Sequence, residues 1–162
     1  PDAVLEKVMR RHQYGVTAVE LMVVVVIAAI LATIAIPSFS DLIARRKIEG
    51  LANELSADLQ FARSESISRN ADVSLTATTG SYVIARGPTT IKNVATLPTS
   101  TSLTAGSITF TAFRGLSASA TSFTVSNSAV SNQLKVIVNT MGRTLICAPS
   151  SAWGSYALCP ST

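Results

Sequence analysis

Between Val16 and Ile36 the chain runs for 21 residues with only three polar side chains, Thr17, Glu20 and Thr33. As a helix, that run rises about 30 Å at roughly 1.5 Å per residue, the thickness of a bilayer's hydrocarbon core. It is longer than the apolar centre of an ordinary secretory signal, about 7–15 residues, and Pro37 follows it at once. Only a weak cleavage triplet, Thr33–Ala35, is present, so the segment is expected to stay as an anchor. Lys7, Arg10 and Arg11 precede the run, while Arg45, Arg46 and Lys47 follow it at a greater distance. The closer leading charges favour a cytoplasmic N-terminus with the bulk of the chain outside.

Glu20 is the residue a plain anchor does not explain. A charge deep in hydrocarbon costs about 2.5–3.5 kcal/mol, and such residues usually mark function. Near a helix start the cost is smaller, because the helix N-terminus favours an anion. A free α-amino group on a neighbouring chain, created by a cut just before Val16, would give the carboxylate a partner.

The rest of the chain narrows the chemistry. The net charge of +4 is unevenly distributed: residues 16–72 carry five basic and seven acidic side chains, whereas residues 73–162 carry Arg86, Lys92, Arg114, Lys135 and Arg143 and no carboxylate side chain. A domain charged in this way presents a positive field, either as a solubility device on a Ser/Thr-rich surface or toward an anionic partner. The only histidine, His12, lies in the basic leader. Without a histidine or an acid beyond Asp72, and without a Gly-rich phosphate loop, no usual acid–base or nucleophilic site is expected. A structural or binding protein is therefore expected rather than an enzyme, with no cofactor and no metal. Cys147 and Cys159 bracket a segment in which Pro149 and Gly154 can turn the chain back. Such a pair reads as a disulfide in an oxidising compartment, worth about 3 kcal/mol by loop closure, against the alternative of two buried thiols.

The segment "GVTAVELMVVVVIAAILATIAIPSF", Gly15–Phe39, resembles the leader end and N-terminal helix of type IV pilins and type II secretion pseudopilins. "ARSESISRN" at Ala62–Asn70, "ITFTAFRG" ending at Gly115, and "LKVIVNTMGR" ending at Arg143 resemble the GspH/FimT branch of minor pilins and pseudopilins. The resemblance implies that a prepilin peptidase cuts between Gly15 and Val16 and methylates Val16, where the family usually has Phe. Glu20 then guides filament assembly. It implies a single-pass bacterial inner-membrane protein with a periplasmic head, later part of a pilus or pseudopilus, whose partners are other pilin or pseudopilin subunits. Some members of the FimT branch bind DNA through a C-terminal Gly-Arg-x-Arg beside a disulfide loop. Here Gly142 and Arg143 match, and Leu145 stands at the second arginine. Non-specific DNA contact would then fall to Arg143, Lys135 and Arg114, enough for about two or three phosphates. Trp153 or Tyr156 is read either as a base-stacking residue or as a loop anchor. Arg143 likewise has an alternative role, in which its guanidinium caps loop carbonyls. The subunit could serve a pilus, DNA uptake in natural transformation, or type II secretion.

The expected fold is α+β, a long helix packed on an antiparallel sheet. Residues 1–15 form the leader, 16–36 the membrane and filament-core helix, 37–71 an amphipathic helix, and 72–162 a β-rich head. An apolar stripe of Phe39, Leu42, Ile43, Leu51, Leu55, Leu59 and Ala62 should face the sheet. Pro37 removes a helical hydrogen bond and is expected to kink or locally melt the helix, which should end near Asn70. A hairpin is expected around Thr79–Ser81, with further strands at 107–113, 121–126, 134–139 and 144–147. Residues 87–106 read as a loop with at most one edge strand. N-terminal sequencing of protein recovered from cells is expected to begin at Val16; any other first residue removes the basis for Glu20 as an assembly carboxylate.

Overall fold

The computed structural model describes residues 15–160, with the side chains of residues 34–38 outside the described set. Of the leader expected at residues 1–15, residues 1–14, His12 included, lie outside it as well. The chain divides into two compact units, Pro1–Ser38 and Phe39–Thr162. One helix, α1 (Ala18–Ser68), contributes to each.

α1 begins at a sequence-encoded cap. The Thr17 hydroxyl accepts a hydrogen bond from the Glu20 backbone N–H at 3.2 Å, and the Leu21 N–H reaches the Thr17 carbonyl at 3.1 Å. Glu20 therefore lies three residues past an N-cap threonine, the spacing of a capping box, with its carboxylate in the first helical turn. The large apolar side chains that follow, Leu21 to Leu31, are exposed, from 52% at Ile27 to 69% at Met22. Among the described residues no helix is long and apolar enough to cross a membrane; the expected span of residues 16–36 runs into the side chains outside that set. The backbone stays helical through Pro37, so the local melting expected there does not occur.

In the second unit the buried face of α1 is Ala44, Ile48, Leu51, Ala52, Leu55, Leu59 and Ala62. Spacings of three and four keep these residues on one side of the helix. Phe39, Leu42 and Ile43, expected to belong to the same stripe, are exposed. They fall off the register that Ala44 and Ile48 set, and a stripe counted by hydrophobicity alone passes over the small Ala44. The helix ends in a Schellman arrangement. Asn70, at φ 47°, donates to the Ile67 carbonyl at 3.3 Å, and the Ala71 N–H donates to Ser66 at 3.2 Å.

The head has two four-stranded antiparallel sheets rather than one. The first comprises β1 (Val73–Ala77), β2 (Tyr82–Arg86), β3 (Thr89–Val94) and β5 (Gly106–Phe110), in the order β3-β2-β1-β5. The second comprises β4 (Thr101–Leu103), β6 (Thr121–Asn127), β7 (Val130–Val138) and β8 (Thr144–Cys147), in the order β4-β6-β7-β8. Residues 87–106 thus hold an edge strand of each sheet where at most one was expected. Both are paired on one side only, β4 is three residues long, and β3 is exposed or half-buried throughout, which leaves little alternation to read. β5 stops at Phe110, three residues before the expected end, because the Gly115 N–H turns back to the Thr111 carbonyl at 3.1 Å. Period-two burial is plain in β6 and β7, where Phe123, Val125, Leu134, Val136 and Val138 face inward. They join the helix stripe and Val73, Leu75, Ile84 and Phe110 of the first sheet in one core.

Two polar side chains, Asp58 and Ser66, are buried on the helix, and Ser66 Oγ donates to the Arg63 carbonyl of the helix itself at 2.8 Å. Asp58 is buried, accepts the Tyr82 hydroxyl at 2.6 Å, and receives the Lys92 ammonium on both oxygens at 2.8 and 2.7 Å. This ties α1 to β2 and β3 and satisfies a carboxylate that would otherwise be costly to bury. Burial first, then the hydrogen bond to Asp58 and the Asp58 and Glu54 charges, raise the Tyr82 phenol far above its ordinary range. An unfolded chain releases that proton above about pH 10 while the folded chain retains it. The contribution is therefore complete below about pH 10 and is lost progressively above it. Thermal melts are expected to show Tyr82→Phe less stable by about 1.5–3 kcal/mol at neutral pH, with a shallower loss of stability above pH 10 than the parent protein.

Candidate functional site

The three head segments that carry the family resemblance meet at one point. Arg63, near the end of α1, donates from Nε to the Gly115 carbonyl at 3.2 Å. Gly115, just past β5, has φ 60°. A side chain there would press on Arg63 Cγ at 2.7 Å and Ile67 Cδ1 at 3.0 Å. Gly142, in the β7–β8 turn, has φ 73°, and a Cβ on it would sit 2.6 Å from the Gly115 carbonyl and 2.8 Å from Arg63 Nε. Both glycines are required twice over, by left-handed backbone and by close approach. The Ser117 N–H reaches the Thr140 carbonyl at 3.0 Å and closes the two loops together. The start of β8 is tied to the helix as well, since the Thr144 hydroxyl contacts Ser56 Oγ at 3.1 Å and accepts from Gln60 Nε2 at 3.0 Å.

This corner opens as a depression of about 430 Å³ lined by Gln60, Arg63, Ser64, Ile67, Gly142, Arg143 and Thr144, with no carboxylate among them. Arg143 is exposed. Its backbone N–H binds Asn139 Oδ1 at 2.9 Å, and its guanidinium makes no hydrogen bond or ion pair among the described residues. The carbonyl-capping role offered as an alternative for Arg143 belongs instead to Arg63. Arg114 adjoins the corner beside Gly115, at φ 63°, with its guanidinium over the Phe113 ring at 4.8 Å. Lys135 is not part of it. That residue pairs with Cys147 across β7 and β8 and lines a separate hollow with Ser122, Ile137 and Pro160. Three residues of strand separate its row from the Val138–Thr144 pair at the turn, about 10 Å along the sheet. Leu145, where the family's second arginine would stand, is 49% exposed and opposite Ile137. Arg63 escaped the sequence reading because it sits in a helical run whose Glu65–Arg69 ion pair looks self-sufficient. The signal that marks it is its position directly after Ala62, at the edge of the buried stripe.

Cys147 and Cys159 form a disulfide. The loop they close folds into a small hairpin in which Trp153 and Tyr156 exchange backbone hydrogen bonds at 3.1 and 3.0 Å, with Gly154 at φ 58° in the turn. This hairpin grips α1. Asn53 Nδ2 donates to the Tyr156 hydroxyl at 3.3 Å, and the Arg45 guanidinium lies 6.0 Å from the centre of the Trp153 ring. Trp153 is buried. Between base stacking and loop anchoring, the geometry selects anchoring. At the other end of the chain Gly15 and Val16 precede the helix and are exposed, as is Glu20.

A long helix packed on two antiparallel sheets, with a disulfide-closed tail docked on the helix, is a pilin-type architecture. Two crystal structures of the type IV minor pilin FimU from Pseudomonas aeruginosa share this fold. The first is 22% identical, with a TM-score of 0.56, over 67% of this chain and 97% of that one. The second is 20% identical, with a TM-score of 0.53, over 65% and 99%. A model described as type II transport protein GspH matches residues 51–142, and the prokaryotic N-terminal methylation motif matches residues 10–36. No curated protein matches significantly. The GspH match covers more than half of the sequence, and the chain belongs to that family of minor type IV pilins and pseudopilins.

The glycine contacts have a measurable consequence. Gly142→Ala is expected to lose about 1–3 kcal/mol of unfolding free energy, through backbone strain and displacement of the Gly115 carbonyl. Gly80→Ala, in open space within the β1–β2 turn, is expected to change stability by less than about 0.5 kcal/mol. Urea titration of the two variants provides the comparison.

Proposed function

We propose that this chain is a minor subunit of a pilus-like filament, built into it or priming it through the N-terminal part of α1. The observation that carries this reading is the continuous exposure of the large apolar side chains from Val16 to Leu31. Apolar surface of that extent needs a bilayer before assembly and other helices afterwards. Glu20 at the capped start of the helix supports the reading, since its carboxylate is exposed and an α-amino group of a neighbour could reach it. On this reading a prepilin peptidase cuts between Gly15 and Val16 and methylates Val16. The subunit waits in the inner membrane with its head in the periplasm, where the Cys147–Cys159 bridge forms. Pilus and type II secretion pseudopilus are equally compatible with these features.

A second reading, non-specific DNA contact during uptake, is favoured by the exposed Arg143 in a depression lined by no carboxylate, with the exposed Arg114 beside it. It is weakened by the separation of Lys135, by Leu145, and by the anchoring of Trp153. Any such binding would be salt-sensitive and confined to a few phosphates.

In cells, Glu20→Ala is expected to leave cleavage intact while the subunit drops out of the sheared filament fraction; normal incorporation would overturn the assembly role. Fluorescence titration of residues 39–162 with duplex DNA tests the second reading. Binding at low salt that falls at least about tenfold with Arg143→Ala, and strengthens with Leu145→Arg, is the expected outcome if DNA is a ligand. No binding at low salt would eliminate it.

A further inference from the structure

The corner around Arg63 carries a second kind of information besides charge. Phe113 and Met141 are 69% and 64% exposed, and Ile67 is 50% exposed. All three adjoin the Gly115–Gly142 contact: Ile67 touches the position of a Gly115 Cβ, while Phe113 and Met141 lie one or two residues from the two glycines. Interleaved with them are Arg63, Arg114 and Arg143. Aromatic, Met and Arg side chains are the types enriched at the centres of protein–protein interfaces, where apolar area supplies affinity and guanidinium groups supply bidentate recognition. The loops that present them are held in place by the backbone bonds between Ser117 and Thr140, and between Gly142 and Asn139 at 2.9 Å. Little ordering is then left to lose on binding.

We propose that this corner docks an acidic, partly apolar segment of a neighbouring pilin-type subunit. The proposal rests on the filament reading above and assigns to it a specific head surface. Charge complementarity selects the occupant. The depression has no carboxylate among its lining residues, and the last acidic side chain of the sequence, Asp72, is turned to the Ala112 N–H at 2.8 Å, which leaves Arg143 without an acidic partner among the described residues. A protein partner is favoured over nucleic acid on three grounds. Arg63 is partly committed to the Gly115 carbonyl, Arg114 stacks on Phe113, and Lys135 lies elsewhere, so no row of free cations follows a phosphate backbone. Three exposed apolar side chains would instead remain in water against a duplex.

The test uses the full chain in its native cells. Phe113 is replaced by the photo-cross-linker p-benzoylphenylalanine, filaments are sheared off, and incorporation is confirmed by immunoblot. Illumination is expected to join position 113 to a pilin-type subunit, with mass spectrometry mapping the link beside an Asp or Glu. Arg143→Glu is expected to reduce that adduct at least about tenfold, Arg143→Lys to retain most of it, and exchange of the mapped acid for Arg to restore it in the Arg143→Glu background. If the subunit is incorporated but yields no protein adduct, an adduct to a segment lacking carboxylates, or only a nuclease-sensitive adduct, the docking proposal is overturned. If the subunit is absent from filaments yet cross-links to a pilin-type subunit in membranes with the same charge dependence, the filament reading fails and the docking surface stands. Absence of both overturns both.

Discussion

The contact of Arg63 with Gly115 and Gly142 is the constraint on which the upper part of the head depends. A guanidinium from the helix caps a loop carbonyl, and two glycines in left-handed backbone let two loops close over it. A side chain at Gly142 would displace the Gly115 carbonyl, and one at Gly115 would displace the Arg63 and Ile67 side chains of the helix. With that contact in place, β5 must stop where it does, the β7–β8 turn has a single path, and Arg143 is projected outward with its guanidinium free of partners among the described residues. The family resemblance in three separated stretches of sequence is therefore one physical object.

Below that corner the helix is held by different chemistry on its two sides. The first sheet reaches it through Asp58, whose two oxygens are shared by Tyr82 and Lys92. The second sheet reaches it through Thr144 at the start of β8, and through Tyr156 and Trp153 in the disulfide-closed tail. The apolar core between them supplies most of the stabilisation, because its side chains are fully withdrawn from water. The polar contacts choose the rotation and height of the helix, which a smooth apolar stripe does not fix.

Much of this was legible in the sequence for reasons that can be named. The apolar run with Glu20, a helix end near Asn70, the β1–β2 hairpin and the strands β6, β7 and β8 all follow from local pattern. The two edge strands within residues 87–106 were hidden because β4 is three residues long and both are paired on one side only. Phe39, Leu42 and Ile43 were misassigned because hydrophobicity alone does not say where the sheets begin. Arg63 and the Asp58–Tyr82–Lys92 group were not visible, since each brings together residues at least 24 positions apart. Of the three basic residues proposed from sequence, the fold brings Arg143 and Arg114 to one corner and leaves Lys135 on the face of the second sheet.

The ties between helix and head have a mechanical meaning. Arg45, Asn53, Ser56, Asp58, Gln60 and Arg63 are all engaged by the strands, their loops or the tail. They spread over about 27 Å of helix at roughly 1.5 Å per residue. Tension drawn along α1 loads these links in shear and together, so the head resists being peeled away one contact at a time. The covalent bridge between Cys147 and Cys159 keeps the lowest of them, the hairpin on Arg45 and Asn53, from unravelling first.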